Sequence, residues 1–166
     1  MQVAPLERFS MFRVFTLTAT HVATLAIGFL IGIYALPILT APKGPETEAL
    51  RTTIKAAQYT GRFERNLKGS DFVHWGEGDV HVLPDRIAHE GRLAPGPDYK
   101  LYLAPEFVDT KKGFLAIKEK SRRVGDVKTF NGFIIDVPPG IDVAAYTTVV
   151  VWCEAFSQFI SAAKYK

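Results

Sequence analysis

The chain has a single cysteine, Cys153, and that scarcity excludes a great deal. There is no partner for an internal disulfide, and without a CxxC or CxxCH there is neither a zinc ribbon nor a site for covalent c-type haem. The only methionines, Met1 and Met11, precede a long apolar segment, so a blue-copper centre has no axial thioether in the rest of the chain. Past that segment the histidines are His74, His81 and His89, and any metal or haem would rest on these and Cys153 alone. Charge of one sign is also missing. Lysine and arginine number 20 against 17 acids; setting aside Arg8, Arg13 and Glu7 of the N-terminal tail leaves 18 against 16. Basic residues interleave with acids and aromatics fall at core-like spacings, which excludes the electrostatic footprint of a nucleic-acid binder. No repeat, low-complexity tract or nucleophile elbow occurs, which leaves hydrolytic catalysis poorly supported.

The longest charge-free run is VFTLTATHVATLAIGFLIGIYAL, Val14 to Leu36. As a helix it is about 34 Å long, enough to cross a hydrocarbon core of about 30 Å. It is too long for the apolar core of a cleaved signal, and Pro42 follows the only small-residue exit, so an uncleaved single-pass anchor in the cell membrane is expected. Arg8 and Arg13 on one side face Lys43, Arg51 and Lys55 on the other, and these counts do not fix orientation. Within the span Thr16, Thr20, Thr24, Gly28 and Gly32 form a stripe of small residues. Such a stripe lets two helices approach closely and pair as a homodimer; the alternative is the ordinary abundance of these residues in membrane helices. His21 lies eight residues into the span, within reach of the interface. The expected organisation is a tail (1–13), a transmembrane helix (14–36), a partly helical spacer (37–58) and a folded domain (59–166).

From about residue 60 short alternating segments replace the helical period, bounded by glycine, proline, asparagine and aspartate. They predict an all-β fold, an antiparallel sandwich of about eight strands. TGRFERN, GDVHVL, RIAHEGRL, KLYLA, FLAIK, VGDVKTF and FIIDV are the expected strands before the last one, Thr147 to Cys153. Asn131-Gly132 predicts a two-residue hairpin between VKTF and FIIDV. The β-branched run of the last strand predicts burial on both faces. The run KEKSRR reads as a charged loop or sheet edge.

Along that last strand Val149, Val151 and Cys153 share one face, while Val150, Trp152 and Glu154 share the other. A sulfur among valines is a quiet packing group, because desolvation favours the protonated thiol. Its place at a strand end beside Glu154, with FSQFISAAKY expected to fold back as a short helix or turn, leaves a reactive role open.

Three segments together resemble one known family. Gly61 with Phe63, Gly96-Pro97-Asp98 leading to Leu101-Tyr102-Leu103, and Tyr146 with VVVWCEAF (Val149 to Phe156), then Ala162-Ala163, follow the order and spacing of the DM-thirteen domain. That domain is found alone in bacterial membrane proteins and beside DOMON domains in animal cell-surface proteins. The resemblance covers about residues 59 to 165. Tyr99 stands where the family motif prefers leucine, and a leucine-glycine and glycine-glutamine-aromatic segment is matched only loosely by Val124-Gly125 and NGFIIDVP. The resemblance implies electron transfer, with Cys153 as a free redox thiol or as a ligand to haem; the neighbouring Trp152 is a candidate to set the exposure and potential of such a group. His81 or His89 would be the opposite haem ligand, although histidines exposed on strands are the simpler reading. The expectation is therefore an extracytoplasmic redox module, not a stand-alone enzyme, acting with a redox or binding partner protein. The alternative is a non-catalytic binding or structural sandwich that keeps Cys153 in its core.

Overall fold

A computed structural model describes residues 6–166, with side chains from Met11 onward, so the first five residues of the expected tail lie outside the described residues. The chain divides into two compact units, one ending at Leu36 and the other running from Pro37 to Lys166.

The first unit is helical. Helix α1 (Leu6–Thr40) is longer at both ends than the charge-free run, taking in part of the tail and Pro37. Its stretch Met11–Thr40 is long and apolar enough to span a membrane. Pro42 and Pro45 follow, and the chain is not helical again until α2 (Thr47–Lys55), the helical part of the spacer.

The second unit is a β-sandwich of two four-stranded antiparallel sheets. One contains β1 (Tyr59–Phe63), β2 (Gly76–Val82), β3 (Arg86–Leu93) and β6 (Phe133–Asp136), in the order β1-β2-β3-β6. The other contains β4 (Tyr99–Ala104), β5 (Arg122–Val127), β7 (Thr148–Cys153) and β8 (Gln158–Lys164), in the order β5-β4-β7-β8. The β2–β3 turn falls at Pro84-Asp85 as expected, closed by the Leu83 amide donating to the Arg86 carbonyl at 2.9 Å.

Period-two alternation sorts the side chains into two cores. Phe63, Val80, Val82, Ile87 and Leu93 of the first sheet meet Leu101, Leu103, Val149, Val151 and Ile160 of the second in the main core. On the outer face of the second sheet Tyr102, Val150, Trp152, Phe159 and Ala162 pack beneath Phe114 and Ile117 of α3 (Lys111–Ile117). Strand β7 therefore has hydrocarbon on both sides, and all six of its residues are buried.

Three local expectations are overturned. FLAIK is not a strand: residues 114–117 lie in α3 and Lys118 opens the 3-10 turn after it, and the N-terminus of α3 is capped by the Thr110 hydroxyl accepting from the Gly113 amide at 3.1 Å. Asn131-Gly132 does not close a hairpin, because β5 and β6 belong to different sheets. Gly132 does take the left-handed conformation, with φ +88, but at a corner where the chain crosses from one sheet to the other. FSQFISAAKY forms neither a helix nor a bare turn: after a tight reversal at 154–157 it becomes β8, antiparallel to β7. KEKSRR behaves as expected, a short 3-10 turn running into the exposed start of edge strand β5.

Candidate functional site

Strand β4 pairs with β7 in a register that sets Tyr99 opposite Cys153. The turn Gly96-Pro97-Asp98 enters β4, so the same register brings its backbone to the end of β7. There the Cys153 thiol donates to the Pro97 carbonyl, with Sγ 3.0 Å from the oxygen, and the Glu154 amide donates to the Asp98 carbonyl at 3.1 Å. Asp98 takes a left-handed φ of 55, tolerated by aspartate, and its carboxylate is held by Lys100 at 2.6 Å. Lys100 also reaches Asp126 at 3.0 Å, tying the turn to β5. Thus two segments far apart in sequence, the glycine-proline-aspartate turn and the tryptophan-cysteine strand end, meet at one sulfur.

That sulfur is enclosed, with Cys153 only 2 % exposed and part of the main core. Burial pushes its thiol above the ordinary value, and the charges of Asp98 and Glu154 push the same way. The amides of Phe156 and Ala155, turned towards Sγ by the reversal at 154–157, pull downward without changing the sign. Cys153 is accordingly a protonated thiol at neutral pH. It lies behind a turn that carries an exposed aromatic, Phe156, and a residue with positive φ, Ser157 at 47.

Trp152 and Cys153 leave β7 on opposite faces, as the alternation requires, and so do not line one pocket. The indole of Trp152 is fully buried and packs against Phe114 with ring centroids 5.0 Å apart. Its N–H makes no hydrogen bond of ordinary geometry. The same face carries a polar cluster that sequence reasoning missed. The Tyr102 hydroxyl donates to Glu154 Oε1, and Lys118 Nζ donates to Glu154 Oε2 at 2.6 Å. Burial works to raise the Glu154 carboxyl, but the hydrogen bonds from Lys118 and Tyr102, with the Lys118 charge, outweigh it and hold it below the ordinary value. For Tyr102, burial and then the hydrogen bond to Glu154 both raise the phenol. Tyr102 and Glu154 belong to the quoted segments, whereas Lys118, the first residue of the charged run KEKSRR, arrives from the turn after α3, and nothing in that run points to Glu154.

The two strand histidines are not exposed. His81 and His89 lie on β2 and β3, and both are buried. His89 sits between Phe63 and Phe133, each with ring centroids 5.1 Å away. His89 Nε2 lies 3.0 Å from the Glu77 carbonyl, and its Nδ1 is buried without a partner. Burial drives its pKa down to about 4.

The residues around Cys153 do not fit haem. Its sulfur is committed to the Pro97 carbonyl inside a packed core, and His89 is committed in the other sheet. Among the described residues, one open surface groove is lined by Arg62, Leu67, Phe107 and Lys164 and another by Arg65, Ser70 and Phe72, and neither of these includes Cys153. Among the described residues no three or more His, Cys, Asp or Glu side chains are grouped to hold a metal ion.

In the apolar helix the Thr16 hydroxyl donates to the Phe12 carbonyl at 2.8 Å and the Thr20 hydroxyl to the Leu17 carbonyl at 2.9 Å. His21 Nδ1 lies 2.7 Å from that same Leu17 carbonyl. These polar groups are thus satisfied within their own helix. Gly28 and Gly32 have open space where a side chain would stand, and Thr24 lies one turn before Gly28.

A family model described as electron transfer DM13 matches residues 66–165, which takes in the turn at Pro97, the strand ending at Cys153 and the pair Tyr102–Glu154. The opening motif, Gly61 and Phe63, lies ahead of the matched stretch. No curated protein and no solved structure matches the chain.

Proposed function

Because the chain belongs to the DM13 electron-transfer family, we propose that it is a membrane-anchored, extracytoplasmic redox module in which the Cys153 thiol is the group that changes oxidation state. The observation that carries this reading is the meeting of Pro97 and Cys153: the turn that opens one matched motif and the strand end of the other converge on the sulfur. A thiol whose charged form is disfavoured by burial gives up an electron together with its proton, and it is poorly reactive towards electrophiles that attack thiolates. Its exposure is controlled by the turn at 154–157, so opening of that turn would let an oxidised partner protein approach and let the proton leave to solvent. The N-terminal helix acts as the tether, and the Gly28–Gly32 face is where a second copy would pack.

One observation favours the other reading, in which Cys153 only packs: it is 2 % exposed and surrounded by the main core. The deciding experiment compares the full chain in detergent with Cys153→Ser. The number of electrons exchanged with a soluble one-electron mediator is measured alongside thermal stability. Loss of one electron equivalent in a folded Cys153→Ser protein supports the redox thiol. Unchanged electron exchange with reduced stability assigns Cys153 to packing.

A further inference from the structure

Tyr102 projects from β4 into the outer core, where its ring meets Phe114 edge-on with centroids 5.3 Å apart. Its phenol donates to a carboxylate that is ionised, fixed in place and in touch with water. Glu154 is clamped from the other side by Lys118 at 2.6 Å, yet its side chain remains 27 % exposed. The Lys118 ammonium lies 5.8 Å from the Tyr102 ring centroid and 5.4 Å from that of Trp152. A buried phenol, a hydrogen-bonded base and a path from that base to solvent are the parts that proton-coupled oxidation requires.

We propose that Tyr102 is a second one-electron site of this module, with Glu154 as its proton acceptor. The oxidant is a high-potential centre on a partner, either a metal ion in its oxidised state or an organic radical. In the step the Tyr102 O–H bond breaks, one electron passes to that oxidant, and the proton moves to Glu154 Oε1. The products are a neutral phenoxyl radical, a neutral carboxylic acid and the partner reduced by one electron; reduction runs the same transfers backwards. Burial and the adjacent carboxylate disfavour a tyrosinate, so prior loss of the proton is blocked. A buried radical cation beside Lys118 is disfavoured as well. Joint transfer of electron and proton leaves the buried ring neutral and places the remaining positive charge on Lys118, whose side chain is 28 % exposed to water. The proposal goes beyond the Cys153 reading and does not depend on it.

The test uses the full chain in detergent, in both the native and the Cys153→Ser backgrounds, oxidised by a flash-generated ruthenium(III) polypyridyl complex. Phenoxyl formation is followed by transient absorption and electron paramagnetic resonance. The expected result is a phenoxyl signal that persists in Cys153→Ser, is lost in Tyr102→Phe and forms roughly a hundredfold more slowly in Glu154→Gln, the scale of a positioned proton acceptor. An equal phenoxyl yield in Tyr102→Phe, or an unchanged rate in Glu154→Gln, overturns it. Should either substitution prevent folding, fluorotyrosine introduced at position 102 preserves the shape. Fluorine hyperfine splitting in the radical then supports the assignment, and its absence, with the radical on other tyrosines, overturns it.

Discussion

Cys153 and His89 are both buried, and burial acts on them in opposite directions: it keeps the thiol protonated and the imidazole neutral. Alkylation of Cys153 in the native protein at pH 7 is therefore expected to be far slower than in denaturant, and to stay slow until the pH passes well above the ordinary thiol value; timed iodoacetamide labelling read by mass spectrometry checks this. The His89 pKa of about 4 in the fold compares with 6.5 for a free side chain. As pH falls through 6.5 the unfolded chain takes up this proton before the folded one, so stability declines from there down to about pH 4 and the loss then levels off. The full effect is about 3 kcal/mol. Glu154 has the usual carboxylate sign: its depressed pKa adds stability that is lost only as pH drops below about 4.5, steepening the curve at its acid end. Urea unfolding at a series of pH values measures the slope, and His89→Leu is expected to flatten it between pH 6.5 and 4.5. The residues themselves gave no sign of this burial. A histidine within an alternating run reads as exposed, and only the aromatic pair Phe63 and Phe133, from strands far apart in sequence, encloses it.

Strand alternation predicted the two faces of β7 correctly, down to Val149, Val151 and Cys153 on one side and Val150 and Trp152 on the other. It succeeded because the period of a strand is local. The errors came where a local signal has two tertiary outcomes. FLAIK is apolar enough for a strand, but Thr110 caps its start and Phe114 and Ile117, one turn apart, cover Trp152. Asn-Gly permits positive φ without deciding which sheet the next strand joins. The meeting of Pro97 with Cys153 was outside the reach of sequence pattern, since it depends on the β4–β7 register. Thr110→Ala is expected to cost about 1 kcal/mol and Thr110→Ser much less, as measured by denaturant midpoints. Gly61 marks another close approach: a Cβ there would lie 2.5 Å from the Lys164 carbonyl oxygen, where β1 runs against β8. Gly61→Val is expected to destabilise by about 3 kcal/mol, with loss of thermal stability as the readout.

On the scale of the whole molecule, a helix fit to span a bilayer and a β-sandwich with its own core form separate compact units. A chain beginning after Thr40 is expected to stay in solution without detergent and to unfold in one cooperative transition. The full chain should partition into the detergent phase, and phase separation with circular dichroism tests both. Composition changes across the same division, from a charge-free helical run to a set of alternating segments.

The Cys153–Pro97 contact joins residues 56 positions apart, and the strands on either side of it form the middle of their sheet. A chain must close that long loop before the centre of the sheet exists, and pairings of this kind form slowly. During that search the thiol is open to any oxidant the chain meets. Biogenesis, more than the finished fold, is thus the stage at which this cysteine needs protection, and the rate of strand docking sets how long that lasts.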